Sequence, residues 1–403
     1  MRPIFQCGIA AVLGLAQLAA FAAAGCAADL VSLYSFCTAV NQNFQCLDGE
    51  APWSRLLQID GSLYGTTSGG HGTVFRITKR GKFTSLYVFC KDRNCRAGAA
   101  PGKYLARGPD DEIYGVTTQD GGSGDGGTIF RISPGGGLTI FYRFCSQANC
   151  LDGSAPTAVT FDPSGNLFGT STQGGKYREG TLFEITAGGV YRKLHDFCSR
   201  PDCADGLSAG ALLRAKDGDF YGTTAAGGED QGGSVFRMRP DGSLTTLYSF
   251  CSVVNCPDGE QPTPLLVEGR NGDFYGTTML GGANGAGTIF RLTPSGSLKT
   301  LYAFCGRAYC DDGANPQDGL VAAPDGSFYG TASTGGIYYN GVLFNITASK
   351  KYSIVYNFCA TAGCFDGSTP SAAPTLDKNG NLYGTTLAGG DKSNVGAIYE
   401  LSP

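Results

Sequence analysis

A segment of about 54 residues recurs seven times along the chain, and this period limits the fold more than any other feature. Aligned on an aromatic-glycine dipeptide, the copies fall at Tyr64-Gly65, Tyr114-Gly115, Phe168-Gly169, Tyr221-Gly222, Tyr275-Gly276, Tyr329-Gly330 and Tyr383-Gly384. The spacings are 50, 54, 53, 54, 54 and 54 residues. A fixed period in this range specifies a propeller or a solenoid.

The content of each copy separates the two. A first strand signal follows a proline, as in Pro156 to Phe161, and ends in a hairpin pair such as Asp60-Gly61 or Asn271-Gly272 that tolerates positive φ. The second strand is the aromatic-Gly-Thr-Thr segment, closed by a glycine pair such as Gly281-Gly282. The third is Gly-Thr-aliphatic-Phe-Arg, as at Gly287 to Leu292, and the fourth is Leu-Tyr-x-Phe-Cys, entered through a turn such as Asp241-Gly242. Four antiparallel strands per period describe a propeller blade. Asp29 to Cys37 reads as a fourth strand with no first three before it, while the last copy stops after its third strand, Gly396 to Leu401. Together they complete one blade. The expectation is an all-β, seven-bladed β-propeller closed by pairing the N-terminal strand with the C-terminal blade, which hides both sheet edges. A solenoid would instead carry unmatched caps.

Composition agrees with many short strands and tight turns: 63 Gly, 16% charged residues and one Trp, Trp53. A net charge of −4 without any basic run excludes a nucleic-acid surface. Residues 1–28 carry one cation, Arg2, then an Ala- and Leu-rich run and small residues, the pattern of an export signal. The expected organisation is a signal over 1–28 and a single propeller over 29–403. Cleavage after the Ala22–Ala24 site is the expectation for the leader. Ala23-Ala24-Gly25-Cys26 also resembles a bacterial lipobox, with Ala23 where Leu is usual, so lipidation at Cys26 is the alternative and the one expected route to a membrane. The mature chain is expected to be a monomer, exported to the periplasm, the cell surface or the medium.

Sixteen Cys resolve into Cys7 and Cys26 in the leader and seven local pairs: Cys37/Cys46, Cys90/Cys95, Cys145/Cys150, Cys198/Cys203, Cys251/Cys256, Cys305/Cys310 and Cys359/Cys364. An even set at the junctions between copies of an exported chain reads as disulfides. Loops of this length gain roughly 2–3 kcal/mol each in the chain-entropy model.

The string L-Y-G-T-T-x-x-G-G, followed by G-T-V/I-F-R and L-Y-x-F, resembles the GloVer repeat (Gloeobacter/Verrucomicrobia type) of tandem-repeat bacterial proteins, over residues about 30 to 403. The resemblance implies an exported bacterial protein, held at the cell surface by varied anchors, and carries no activity onto particular residues. No apolar tail follows Leu401-Ser402-Pro403, so any anchor is expected to be the lipid at Cys26. The Gly-His and Trp-Asp marks of WD40 repeats are missing, as is the repeated Trp of kelch blades.

In a propeller the loops joining second to third strands and those joining blades open on one face, and here both are long. Variation concentrates there: His71; Asp120 and Asp125; Lys176 to Glu179; Glu229 and Asp230; Tyr338 to Asn340; Asp391 and Lys392. The candidate ligand contacts are His71, Tyr177, Arg178, Glu179, Glu229, Asp230, Tyr338 and Tyr339, whose aromatic and polar groups suit a sugar or a peptide. Asp48, Asp152, Asp205, Asp258, Asp312 and Asp366 follow the Cys loops, and each is expected to cap its own turn, since one carboxylate falls short of a calcium site. The third-strand Arg76, Arg131, Arg237 and Arg291 are expected to make contacts between blades.

His195 stands where other copies have Tyr and reads as a packed strand residue. No nucleophile, base and orienter can be assembled, and two His residues support no metal centre, so no catalytic residue, metal or other cofactor is expected. The leading reading is a non-catalytic exported protein that binds a glycan, peptide or envelope partner through its loop-rich face. The alternatives are a carbohydrate-active hydrolase or lyase with Asp or Glu at the channel mouth and a purely structural surface protein. Thiol titration of the exported, denatured protein is expected to find none of the fourteen propeller cysteines free, and a full complement of reactive thiols would refute the disulfide reading.

Overall fold

The computed structural model describes residues 29–40, 46–90, 94–121, 126–347, 349–391 and 394–402. The leader with Cys26, and also Asp125 and Lys392, lie outside these residues. Seven separate antiparallel sheets follow one another along the chain, each four strands deep. This is the seven-bladed propeller. Among the described residues no helix is long and apolar enough to cross a membrane.

Blade 5 is representative. Glu260–Pro262 and Val267–Glu268 form its innermost strand, followed outward by Phe274–Leu280, Thr288–Leu292 and Leu298–Ala303. The innermost strand begins before the proline, not after it as expected, and in most blades a bulge splits it in two. A residue at positive φ precedes the proline position each time, from Ala51 (50°) to Thr369 (56°). Blade 7 is assembled from both ends of the described chain: Asp29–Ser35 pairs antiparallel with Ala397–Ser402, from Asp29 opposite Ser402 to Ser35 opposite Ala397.

The repeated residues are explained at the seams. Every outermost strand is bulged, and the extra residue (Leu33, Leu86, Phe141, Leu194, Leu247, Leu301 or Val355) turns into one of seven apolar clusters, one per seam between blades. The Phe before each Cys is buried and meets an aromatic ring on the third strand of the next blade. Ring centroids lie 5.1 Å apart for Phe250 and Phe290, and 5.5 Å apart for Phe197 and Phe236. That ring lies over the glycine of the aromatic-Gly-Thr-Thr segment. A Cβ added to Gly222 would sit 2.5 Å from Phe236 Cζ, so no larger residue fits.

The two threonines act in different directions. The first reaches across the seam: Thr223 Oγ1 donates to Thr263 O at 2.9 Å, and Thr385 Oγ1 donates to Ser54 O at 3.0 Å, joining the last blade to the first. The second stays in its blade, as in the 2.9 Å bond between Thr278 Oγ1 and Thr288 Oγ1. Three of the four third-strand arginines, Arg131, Arg237 and Arg291, also stay within their blade, contrary to expectation. Arg237 pairs with Asp219 and Arg291 with Asp273, because the aromatic-Arg cross-strand register places each guanidinium beside the start of its own second strand.

Thr385→Val keeps the shape and removes the hydroxyl at the closing seam. It is expected to cost roughly 1–3 kcal/mol, the range for a buried partner left unsatisfied, read as a lower urea midpoint with unchanged slope; an unchanged midpoint would remove this bond from the account of closure.

Candidate functional site

The loop-rich face is built on the Cys loops. All seven expected bridges are formed: Cys37–Cys46, Cys90–Cys95, Cys145–Cys150, Cys198–Cys203, Cys251–Cys256, Cys305–Cys310 and Cys359–Cys364. In the six short loops the carbonyl of the second Cys then accepts an N–H from the loop between second and third strands. Gly175 donates to Cys150 O at 2.9 Å, Gly228 to Cys203 O at 3.0 Å, Gly282 to Cys256 O at 2.8 Å, Gly336 to Cys310 O at 2.9 Å and Gly390 to Cys364 O at 2.9 Å, while Gly121 reaches Cys95 O at 3.2 Å. The first loop spans a separation of 9 residues instead of 5, and there Cys46 pairs with Val40 in an antiparallel bridge while Gly69 N donates to Glu50 O. Both sets of loops therefore share one face and support each other.

The acidic turns close the Cys loops as well as turning the chain. Asp48 Oδ2 accepts from Tyr34 OH at 2.5 Å, Thr38 N at 3.0 Å and Thr38 Oγ1 at 2.9 Å. The same latch joins Tyr142 to Asp152, Tyr248 to Asp258, Tyr302 to Asp312 and Tyr356 to Asp366. In blade 3 His195 takes the tyrosine's place, with Nε2 2.8 Å from Asp205 Oδ2, so it is a latch and more than a packed strand residue. Burial pushes the Tyr248 phenol up to about 12. Burial also pushes the Asp205 carboxyl up, but bonds from Ser199, the Arg200 N–H and His195 together hold it below the usual carboxylate value.

The sequence-predicted contacts spread around the rim in separate grooves. His71 is exposed beside the Cys90–Cys95 bridge and shares a depression of about 270 Å³ with Glu50 and Leu47. One of its ring nitrogens and those two sulfurs lie within 4.8 Å of one another, but bridged sulfurs are not the thiolates that ligate metals. Arg178 lines a second groove with Asn149 and Gln173, next to exposed Tyr177 and half-buried Glu179. Glu229 and Asp230 are exposed on blade 4.

Tyr339 lines a third groove, of about 400 Å³, with Asn284, Asn315, Thr334 and Tyr309; exposed Tyr338 stands beside it in the chain. Sequence reasoning missed Tyr309, which is 79% exposed. Its backbone has φ 58°, at a Cys-loop position where the other copies place Asn149, Asp202, Asn255 and Gly363, residues that tolerate left-handed backbone. That departure from the copies was the available signal. Tyr339 is also left-handed, at φ 60°.

A second missed cluster crosses the central channel. Tyr104 OH of blade 2 donates to Asp318 Oδ1 of blade 6 at 2.7 Å, and the N–H groups of Gly319 and Ala373 donate to the same carboxylate at 2.8 and 2.9 Å. Lys103 Nζ donates to Gln317 O at 3.1 Å and to Ser371 O, and lies 3.9 Å from Asp318 Oδ2. Burial pushes Lys103 below the usual lysine value and Tyr104 well above that of a phenol.

Residues 29–210 and 207–403 each match the model of the Gloeobacter/Verrucomicrobia repeat. The chain belongs to that family. No curated protein sequence matches it. Among solved structures, this Gloeobacter/Verrucomicrobia repeat protein is similar to the extracellular domain of a protein described as a one-component system from B. thetaiotaomicron, at 12% identity and TM-score 0.53, over 92% of this chain and 39% of that one. It is also similar to PorZ, a surface component of the type-IX secretion system of Porphyromonas gingivalis, at 14% identity and TM-score 0.53, over 87% of this chain and 46% of that one. The chain spans less than half the length of either protein, and the likeness is one of fold. Seven disulfides are the mark of a protein folded in an oxidising compartment, which makes this repeat-family member an exported one.

The depressed Asp205 carboxyl sets a pH dependence for this family member. Its stabilisation is fully present above the ordinary aspartate value of about 3.9 and is lost as pH falls through the lower folded-state value. Asp205→Ala is expected to cost roughly 1–3 kcal/mol at pH 7, with a gap from wild type that closes towards pH 2 in urea unfolding; a gap independent of pH would contradict the latch.

Proposed function

We propose that this chain is an exported, non-catalytic binding protein that takes a neutral glycan in the groove between blades 5 and 6. The observation that carries this reading is the pair Tyr309 and Tyr339, two tyrosines held in left-handed backbone and lining one groove. Both rings are exposed, Tyr309 at 79% and Tyr339 at 63%, on loops whose left-handed turns recur in the other copies. The supporting chemistry is local. No lining residue carries a charge. Asn284 commits an amide hydrogen to Phe304 O at 2.9 Å, and Asn315 commits one to Met279 O at 3.3 Å, leaving each a second donor for a hydroxyl. Flat tyrosine faces beside amide donors suit the C–H face and hydroxyl edge of a sugar better than an extended acidic peptide.

Latched, disulfide-closed loops also favour binding, because little side-chain or loop freedom remains to be lost. The hydrolase alternative gains no support from the channel, where Asp318 is engaged by Lys103, Tyr104 and two backbone N–H groups. The one-domain organisation behind a leader cleaved after Ala22–Ala24 belongs to the same proposal, with a lipid at Cys26 as the alternative.

Tyr309→Asn and Tyr339→Asn test it without disturbing the backbone, since Asn149 and Asn255 occupy the equivalent left-handed position of Tyr309 in other copies. On an array of neutral bacterial and plant oligosaccharides, each variant is expected to weaken binding by about 2- to 12-fold, from a stacking contribution of roughly 0.5–1.5 kcal/mol. Binding unchanged in the double variant, or release of new reducing ends by wild type, would overturn the proposal.

A further inference from the structure

The channel holds a second compartment with chemistry of its own. Each innermost strand enters from the Cys loop and leaves through the tight turn, so residues just beyond Lys103 and Asp318 lie on the tight-turn side of their bridge. There a cavity of about 380 Å³ is lined by residues of all seven blades. Its wall is largely aliphatic, with Leu57, Leu212, Leu265, Val321 and Leu376 among the lining side chains.

One guanidinium, that of Arg55, stands in this wall. By strand register the same position in the other blades holds Tyr104, Ala158, Ala211, Leu265, Gly319 and Ala373, so blade 1 alone places a cation there. Arg55 is half-buried and makes no hydrogen bond or ion pair among the described residues. The channel carboxylate that could have balanced it, Asp318, already serves Lys103 and Tyr104. A half-buried guanidinium without a protein partner is free to take an anionic ligand.

The approach carries one further cation without a carboxylate partner. Val321 and Leu376 also line a shallower depression at the tight-turn rim, together with Lys216, Arg270 and Lys378. Its two carboxylates are already paired: Glu268 with Lys216 at 3.2 Å, and Asp377 with Lys79 at 2.5 Å. Arg270 acts on Asp325, which stands between the lining residues Pro324 and Gly326, so exposed Lys378 remains to draw an anion towards the mouth.

We infer that the tight-turn mouth of the channel is a binding site for a small amphipathic monocarboxylate. Its carboxylate meets the fork of Arg55, whose planar donors match two oxygens. Its apolar body lies against Leu57, Leu212, Leu265, Val321 and Leu376. A single guanidinium in an aliphatic cup favours one acid group over a diacid, and the volume lies within the range of small-molecule sites. This site is on the opposite face from the glycan groove and does not depend on it.

Calorimetric titration of the full exported chain with octanoate, phenylacetate and 1-octanol tests the assignment. At least one of the two acids is expected to bind, and Arg55→Gln to weaken that acid at least tenfold while leaving octanol unchanged. Leu265→Phe, which fills the cup, is expected to weaken acid and alcohol alike, and neither variant should alter oligosaccharide binding at the Tyr309 groove. If Arg55→Gln does not fold, Arg55→Lys carries the test, with a several-fold loss expected from the missing fork. No binding of either acid at millimolar concentration, or equal affinity in wild type and the folded Arg55 variant, would overturn the inference.

Discussion

The ring rests on the space above one glycine in each blade. The third-strand aromatic lies over that glycine, and the outermost-strand Phe of the preceding blade packs against the same ring, so backbone, ring and ring form one stack at every seam. A side chain on Gly222 or Gly276 would displace the ring that the neighbouring blade uses as its wall. Interior packing is dense enough that such a shift would pass to the next blade without being absorbed locally. The threonine bonds across the seams then fix how far each blade slides against the next, because their acceptors are backbone carbonyls of the adjoining innermost strand.

The acidic turns show why a repeated carboxylate need not be a cation site. Asp205 receives His195 Nε2, Ser199 N, Ser199 Oγ and Arg200 N, all of them donor groups. A cation requires oxygen lone pairs facing inward. Here the inward-facing partners present hydrogens, and the negative charge is balanced by N–H and O–H dipoles. The exchange of Tyr for His at position 195 preserves the donor and therefore the latch.

What was legible in the sequence was what repeats. Period, four strands per blade and the pairing of cysteines, from Cys37 with Cys46 to Cys359 with Cys364, follow from local signals written several times, so blade 2, with Ala97-Gly98 where the other copies have Asp-Gly after the Cys loop, could not obscure them, and the closing strand from Asp29 was legible as the missing member of the last copy. What was not legible was what departs from the repeat and acts over distance. Tyr104 and Asp318 lie 214 residues apart and meet only because blades 2 and 6 face each other across the channel. Tyr309 occupies a position where other copies carry turn-forming residues, and Arg55 one where they carry only uncharged residues, and their single occurrence made them look like variation. The direction of the third-strand arginines was misread because periodicity shows which residues recur, whereas only register shows which of two neighbouring sheets they reach.

The channel bridge divides the molecule into two chemically distinct faces. On the loop-rich side the surface is polar, uncharged at the Tyr309 groove and held by disulfides and latches, so it presents a preformed outline. On the tight-turn side the channel is largely apolar, with the Arg55 guanidinium in its wall. Lys103, Tyr104 and Asp318 stand between them, and opening that bridge would leave a buried lysine and a buried carboxylate unpaired, which is strongly unfavourable. A coupling between the faces would have to run through the blades themselves, whose aromatic stacks and threonine bonds resist the sliding that such a signal needs.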